Sequence, residues 1–114
     1  SVSAFSPVAN PSDCPWGQKA LGQYLGDDKS AWREYDAAKI IASKNHAIPL
    51  LVEQGNSDEF LSEQLKPLAL VQAAQQSDTQ LTLNMHEGYD HSYFFIASFI
   101  EDHLEFHAGH LGLI

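Results

Sequence analysis

An α/β fold built on a parallel sheet is what this sequence predicts, on three observations. Strand and helix patterns alternate along the chain, in the order strand, long loop, helix, strand, helix, strand, helix, and such alternation puts helices on the faces of a parallel sheet. One strand, residues 47–52, is a continuous apolar run, as expected of a strand covered on both faces. Apolar residues make up 44% of the 114, enough for a packed core in a chain the size of one small domain.

Residues 1–5, Ser1-Val2-Ser3-Ala4-Phe5, read as a short buried strand running into Ser6-Pro7. Residues 6–30 form a pocket-forming loop region, punctuated by Pro7, Pro11, Pro15, Gly17, Gly22 and Gly26, with one short helix near 18–24. Ser30 is a candidate cap for a helix over 31–43, whose Trp32, Tyr35, Ile40 and Ile41 fall on one side. The run 47–52 carries Ile48, Leu50, Leu51 and Val52 and ends at Gln54-Gly55. A second helix is predicted over 62–76, with Leu65, Leu68, Leu70 and Val71 toward the sheet. Residues 80–86 alternate Leu81, Leu83 and Met85 with polar residues, the period of a strand. Gly88-Tyr89-Asp90 then turns into a last helix over 92–110, with Phe95, Phe99, His103 and Phe106 at helical spacing. Three parallel strands alone leave a broad edge uncovered. The sequence also begins without methionine, directly on strand-like residues, so a chain cut from something longer is expected.

Six basic against fifteen acidic residues give a formal charge of −9. Nucleic acid is a poor partner for such a chain, because binding it needs a basic patch to displace counterions from phosphates. The acidic residues are scattered and serve solubility. There is no run of roughly 18 apolar residues to span a membrane, and no basic region followed by an apolar stretch to act as a signal peptide. The single cysteine, Cys14, cannot form an intrachain disulfide, which fits a reducing cytosol. With no basic neighbour to activate it, Cys14 is expected to be a buried, inert thiol.

Catalytic groups in open parallel sheets gather beyond the C-terminal ends of the strands. Two loops qualify, Gln54-Gly55-Asn56-Ser57-Asp58-Glu59-Phe60 and Gly88-Tyr89-Asp90-His91-Ser92-Tyr93. If their strands are neighbours, Asp58 and His91 meet above the sheet. A neutral imidazole can take a proton from a serine hydroxyl once a carboxylate fixes its tautomer and orientation. Carboxylate before histidine, with a serine earlier still, is the α/β-hydrolase order. Competing readings give Asp58 a helix-capping task and His91 none. Asp90 is a rival partner for His91, but adjacent side chains usually point apart.

These residues, with Cys14-Pro15-Trp16-Gly17-Gln18-Lys19-Ala20, Tyr24-Leu25-Gly26, the continuation Phe94-Phe95-Ile96, Ser98-Phe99-Ile100-Glu101-Asp102-His103 and Phe106-His107-Ala108, closely resemble the S-formylglutathione hydrolases, or esterase D family, from residue 1 to residue 114. The resemblance implies the C-terminal part of an α/β-hydrolase fold. It implies a cytoplasmic serine thioesterase that releases formate and glutathione from S-formylglutathione and also hydrolyses small carboxylic esters, with no cofactor or metal. By position it gives Asp58 the orienting role, His91 the general-base role, and Trp16 a wall of the acyl pocket. A homodimer of the complete enzyme is also implied.

One departure from the family is large. No Gly-x-Ser-x-Gly occurs, and Ser3, Ser6, Ser57 and Ser92 all lie outside any elbow sequence. The nucleophile and the oxyanion hole are therefore expected upstream, on an N-terminal partner portion of the same enzyme, and the chain alone is expected to be inert. The competing class is a metal-binding or interaction module. His103, His107 and His110 share one face of the last helix, with Glu101 or His86 in reserve as further ligands.

Overall fold

The structure, a computed structural model, describes residues 1–43 and 48–114. Strands β1 (Val2–Phe5), β2 (Leu50–Gly55) and β3 (Leu81–His86) form a parallel sheet in the order β1-β2-β3. Val2 is in register with Leu50, and Leu50 with Leu81. Helices α1 (Pro15–Leu25), α2 (Lys29–Trp32) and α3 (Ala37–Ser43) connect β1 to β2, α4 (Leu68–Ser77) connects β2 to β3, and α5 (Tyr93–His110) closes the chain. Of the run expected to open the second strand, Ala47 lies outside the described residues; the strand itself starts at Leu50 and continues through Gly55.

Two helices expected to be continuous are broken, each for a local reason. In the first, α2 passes into a tight turn over Arg33–Tyr35, and Asp36 is then extended (φ −114°, ψ 112°). The Asp36 carboxylate is buried and accepts from the backbone N–H of Ser12 at 2.9 Å and of Lys39 at 3.1 Å. It both starts α3 and ties that helix to the region after β1, a task no helical interior position can perform. Tyr35 is consequently exposed, not aligned with buried Trp32. The cap of α2 is Asp28, whose Oδ1 accepts from Ser30 N–H at 3.0 Å, rather than Ser30. The second break follows a wide turn over Leu61–Leu65: Lys66 is left-handed (φ 47°) and Pro67, which lacks an N–H, precedes α4. Leu68, expected on the sheet, faces outward instead.

Alternation along the strands gives the sheet two unlike faces. On one, Val52 packs with Leu81 and Leu83 against Ala9, Ala38, Ile41, Leu70 and Ala73, from the post-β1 loop, α3 and α4. A buried Val or Leu in such a cluster contributes about 1.5–3 kcal/mol. The other face offers Ser3 and Phe5 from β1, Glu53 from β2, and Asn84 and His86 from β3. Helix α5 covers it with Phe95, which is fully buried and meets Phe5 edge-on at 5.9 Å.

Candidate active site

The loops after β2 and β3 are stitched to one another. Asn56 N–H donates to the His86 carbonyl (2.9 Å), Ser57 N–H to the Tyr89 carbonyl (3.0 Å), and Gly88 N–H to the Asn56 side chain (3.2 Å). The approach is so close that a Cβ on Gly55 would overlap the Tyr89 backbone. Only glycine ends β2 without forcing these loops apart.

That stitching brings Asp58 and His91 together. His91 Nδ1 donates to Asp58 Oδ2 at 2.8 Å. Because an ionised carboxylate only accepts, the proton is on Nδ1 and the Nε2 lone pair is the one free to take a hydroxyl proton. Asp58 is 5% exposed. Its other oxygen, Oδ1, accepts from Phe60 N–H at 2.9 Å, so the carboxylate caps the following turn and holds the imidazole at once. The rival Asp90 is exposed and is not the partner of Nδ1. The His91 ring lines an open cavity of about 330 Å³ with Phe5, Ser6, Ser92, Tyr93 and Ile96.

Two contributors escaped the sequence reading. Gln54, fully buried at the end of β2, donates from Nε2 to Asp58 Oδ2 at 3.1 Å. Phe60 stands edge-on to the His91 ring at 5.5 Å and packs against Trp16 at 4.6 Å. Nothing in the sequence marks a lone glutamine four residues before an aspartate as its partner, and no spacing gives Phe60 a task. Trp16 is 43% exposed, so it is not a core tryptophan. Its backbone N–H is fixed by Gln64 Oε1 at 2.9 Å, and it reaches His91 only through Phe60.

Two of the four candidate serines have other tasks. Ser92 Oγ caps α5 by accepting from Phe95 N–H at 3.4 Å. Ser3 Oγ is held by His103 and His107 at 2.8 Å each. Ser6 does face the His91 cavity and has φ 48°. The residue after it is Pro7, which has no N–H to offer an oxyanion, so Ser6 lacks the donor an elbow serine requires. Nor do the helix histidines converge: His103 and His107 both turn to Ser3, and His110 packs on Phe106 at 4.7 Å. Among the described residues no three His, Cys, Asp or Glu side chains are placed to hold a metal ion. Cys14 is buried, as expected, but stands at the N-cap of α1, which starts at Pro15 and so earlier than the helix expected near 18–24.

A histidine oriented by a buried carboxylate beyond the ends of adjacent parallel strands is an arrangement that can take up and return a proton. Residues 1–106 match the family model described as Putative esterase, and the chain belongs to this esterase family. It is 50% identical over 114 residues to an S-formylglutathione hydrolase of Arabidopsis thaliana, which covers 99% of this chain and 40% of the relative. A solved S-formylglutathione hydrolase from Agrobacterium tumefaciens superposes with a TM-score of 0.90 at 44% identity, over 94% of this chain and 39% of that one. The fold is accordingly that of an α/β hydrolase, and the chain spans about two fifths of the length of these relatives.

Proposed function

We propose that this chain supplies the orienting carboxylate, Asp58, and the general base, His91, of a serine thioesterase that hydrolyses S-formylglutathione and small carboxylic esters. The observation that carries the reading is the His91 Nδ1 to Asp58 Oδ2 bond on a buried carboxylate. The names and identities of the relatives support the substrate class. The nucleophilic serine and the oxyanion donors come from an N-terminal portion, joined to or associated with this chain. The complete enzyme acts in the cytoplasm.

His91 Nε2 takes the serine proton as the serine oxygen bonds to the formyl carbon. The carbon–sulfur bond then breaks, and the thiolate of glutathione leaves with the proton from the imidazolium. A water gives its proton to His91 as its oxygen adds to the formyl carbon; the bond from that carbon to the serine oxygen then breaks, the serine oxygen takes the proton back from His91, and the formic acid released ionises to formate. Trp16 and Phe60 wall the acyl side.

The test is an intact-mass spectrum after treatment with a serine-reactive fluorophosphonate, followed by peptide mapping. One adduct on a serine outside these 114 residues is expected. An adduct on Ser3, Ser6, Ser57 or Ser92, or none on a preparation that hydrolyses S-formylglutathione, overturns the reading.

A further inference from the structure

A second histidine–carboxylate system lies under α5, apart from Asp58 and His91. Glu53, 1% exposed in the middle of β2, accepts from Asn84 Nδ2 at 3.1 Å and from His86 Nε2 at 2.5 Å. His103, 3% exposed on α5, stacks on Phe5 with ring centroids 3.9 Å apart. Its Nδ1 is 2.8 Å from Ser3 Oγ, and its Nε2 has no hydrogen-bond partner but lies 3.9 Å from Glu53 Oε1. Ser3 Oγ also meets His107 Nε2 at 2.8 Å, and His107 Nδ1 meets Ser1 Oγ at 2.7 Å.

One hydroxyl carries one proton, so Ser3 can donate to only one of its two imidazoles and must accept from the other. If Ser3 accepted from His103 Nδ1–H, a bare lone pair on His103 Nε2 would be buried facing the Glu53 carboxylate, with nothing to offset the repulsion. The opposite order leaves no lone pair facing the carboxylate. His107 Nε2–H donates to Ser3, the Ser3 hydroxyl donates to His103 Nδ1, and His103 Nε2–H points at Glu53. With Asn84 and His86 of β3 also donating to Glu53, polar contacts join all three strands and α5. Helix α5 starts two residues after His91, with Ser92 as its cap, so whatever fixes the helix on the sheet also fixes the base.

We propose that Ser3, His103 and Glu53 form a buried relay that locks α5 onto the sheet and thereby holds His91 in place, making Ser3 and Glu53 positioning residues. The proposal rests on the esterase reading only for the task given to His91.

The test uses the complete polypeptide that contains these residues, with histidine labelled with nitrogen-15. Long-range proton–nitrogen spectra are expected to find His103 as the Nε2–H tautomer; an Nδ1–H tautomer overturns the relay. In Glu53→Gln and Ser3→Ala, amide exchange along α5 is expected to quicken by about tenfold or more. With S-formylglutathione, kcat is expected to fall about ten- to a hundredfold at little-changed KM. Ser3→Thr, which keeps the hydroxyl, restores both. Unchanged α5 exchange and kcat in both variants overturn the proposal, and if Glu53→Gln does not fold, Ser3→Ala decides alone. A preparation without any ester hydrolysis counts against the esterase reading, while the tautomer and the exchange rates still decide the relay.

Discussion

Gln54 and His91 end on the same atom. Gln54 Nε2 and His91 Nδ1 both donate to Oδ2 of Asp58, at 3.1 and 2.8 Å. With Phe60 N–H on Oδ1, the buried carboxylate accepts three hydrogen bonds from three different segments. A carboxylate so held has little freedom to rotate, and the imidazole inherits that rigidity. The consequence is a distinction between losing the charge of Asp58 and losing one of its supports.

Loss of the charge is the severe case. Asp58→Asn keeps the shape but presents an N–H or a neutral oxygen to His91, which favours the wrong imidazole tautomer. In the complete polypeptide, kcat for S-formylglutathione is expected to fall by about 10⁴ with the fold retained. Near-normal turnover in steady-state kinetics would remove Asp58 from the site.

Loss of a support is milder. Gln54→Leu takes one donor from an ionised acceptor, and hydrogen bonds of that kind are worth about 1.5–3 kcal/mol. Urea unfolding is expected to lose about that much stability, and kcat to drop less than in Asp58→Asn. A variant as inactive as Asp58→Asn would mean that Gln54 has a more direct task than holding the carboxylate.

Gly55→Ala tests the stitching of the loops. Its methyl group would meet the Tyr89 backbone, which cannot swing aside as a side chain can. Overpacking of this sort costs about 1–3 kcal/mol. Because the same movement separates Asp58 from His91, activity is expected to fall by more than stability predicts, measured as residual turnover well below the melting temperature.

Stability should also depend on acidity through His103. Burial lowers its proton affinity below the ordinary value of 6.5 and His107 adds to this, while Glu53 and Asp102 act in the opposite sense. Of the elements packed on it, β2 brings Glu53 and β3 brings His86, and β1 brings only uncharged Ser3 and Phe5. Between the lowered folded value and 6.5 the unfolded chain binds this proton and the folded one does not, so stability rises with pH in that window. The contribution is whole above 6.5 and is lost as pH falls below it. Urea midpoints at pH 7 and pH 5 are expected to differ, and His103→Asn is expected to be less stable overall but with a flatter dependence. An equal slope in that variant would assign the effect to other groups.

The parts of the fold that were legible in the sequence were those written in local pattern. The run ending at Val52 announced a strand covered on both sides, and the alternation from Leu81 to Met85 announced another. Helix ends were less legible where a long-range bond decided them. Asp36 breaks a helical pattern because Ser12, 24 residues earlier, offers it a backbone N–H. Pro67 carries a local breaking signal that overrides the helical apolar spacing around it. The meeting of Asp58 and His91 was legible because their loops follow adjacent strands. The Gln54 and Glu53 partnerships were not: no local pattern pairs Gln54 with Asp58, and the partners of Glu53 meet it only when the strands and α5 are assembled.

The two unlike faces of the sheet bear on how this chain can diversify. Under α3 and α4 a change among Val, Leu, Ile and Met alters volume alone, and neighbouring side chains can compensate in small steps. Under α5 a change at Ser3, Glu53 or His103 leaves a polar partner stranded in the interior, so only paired replacements restore the balance. Sequence drift should therefore be gradual on one side of the sheet and should come in coupled jumps on the other.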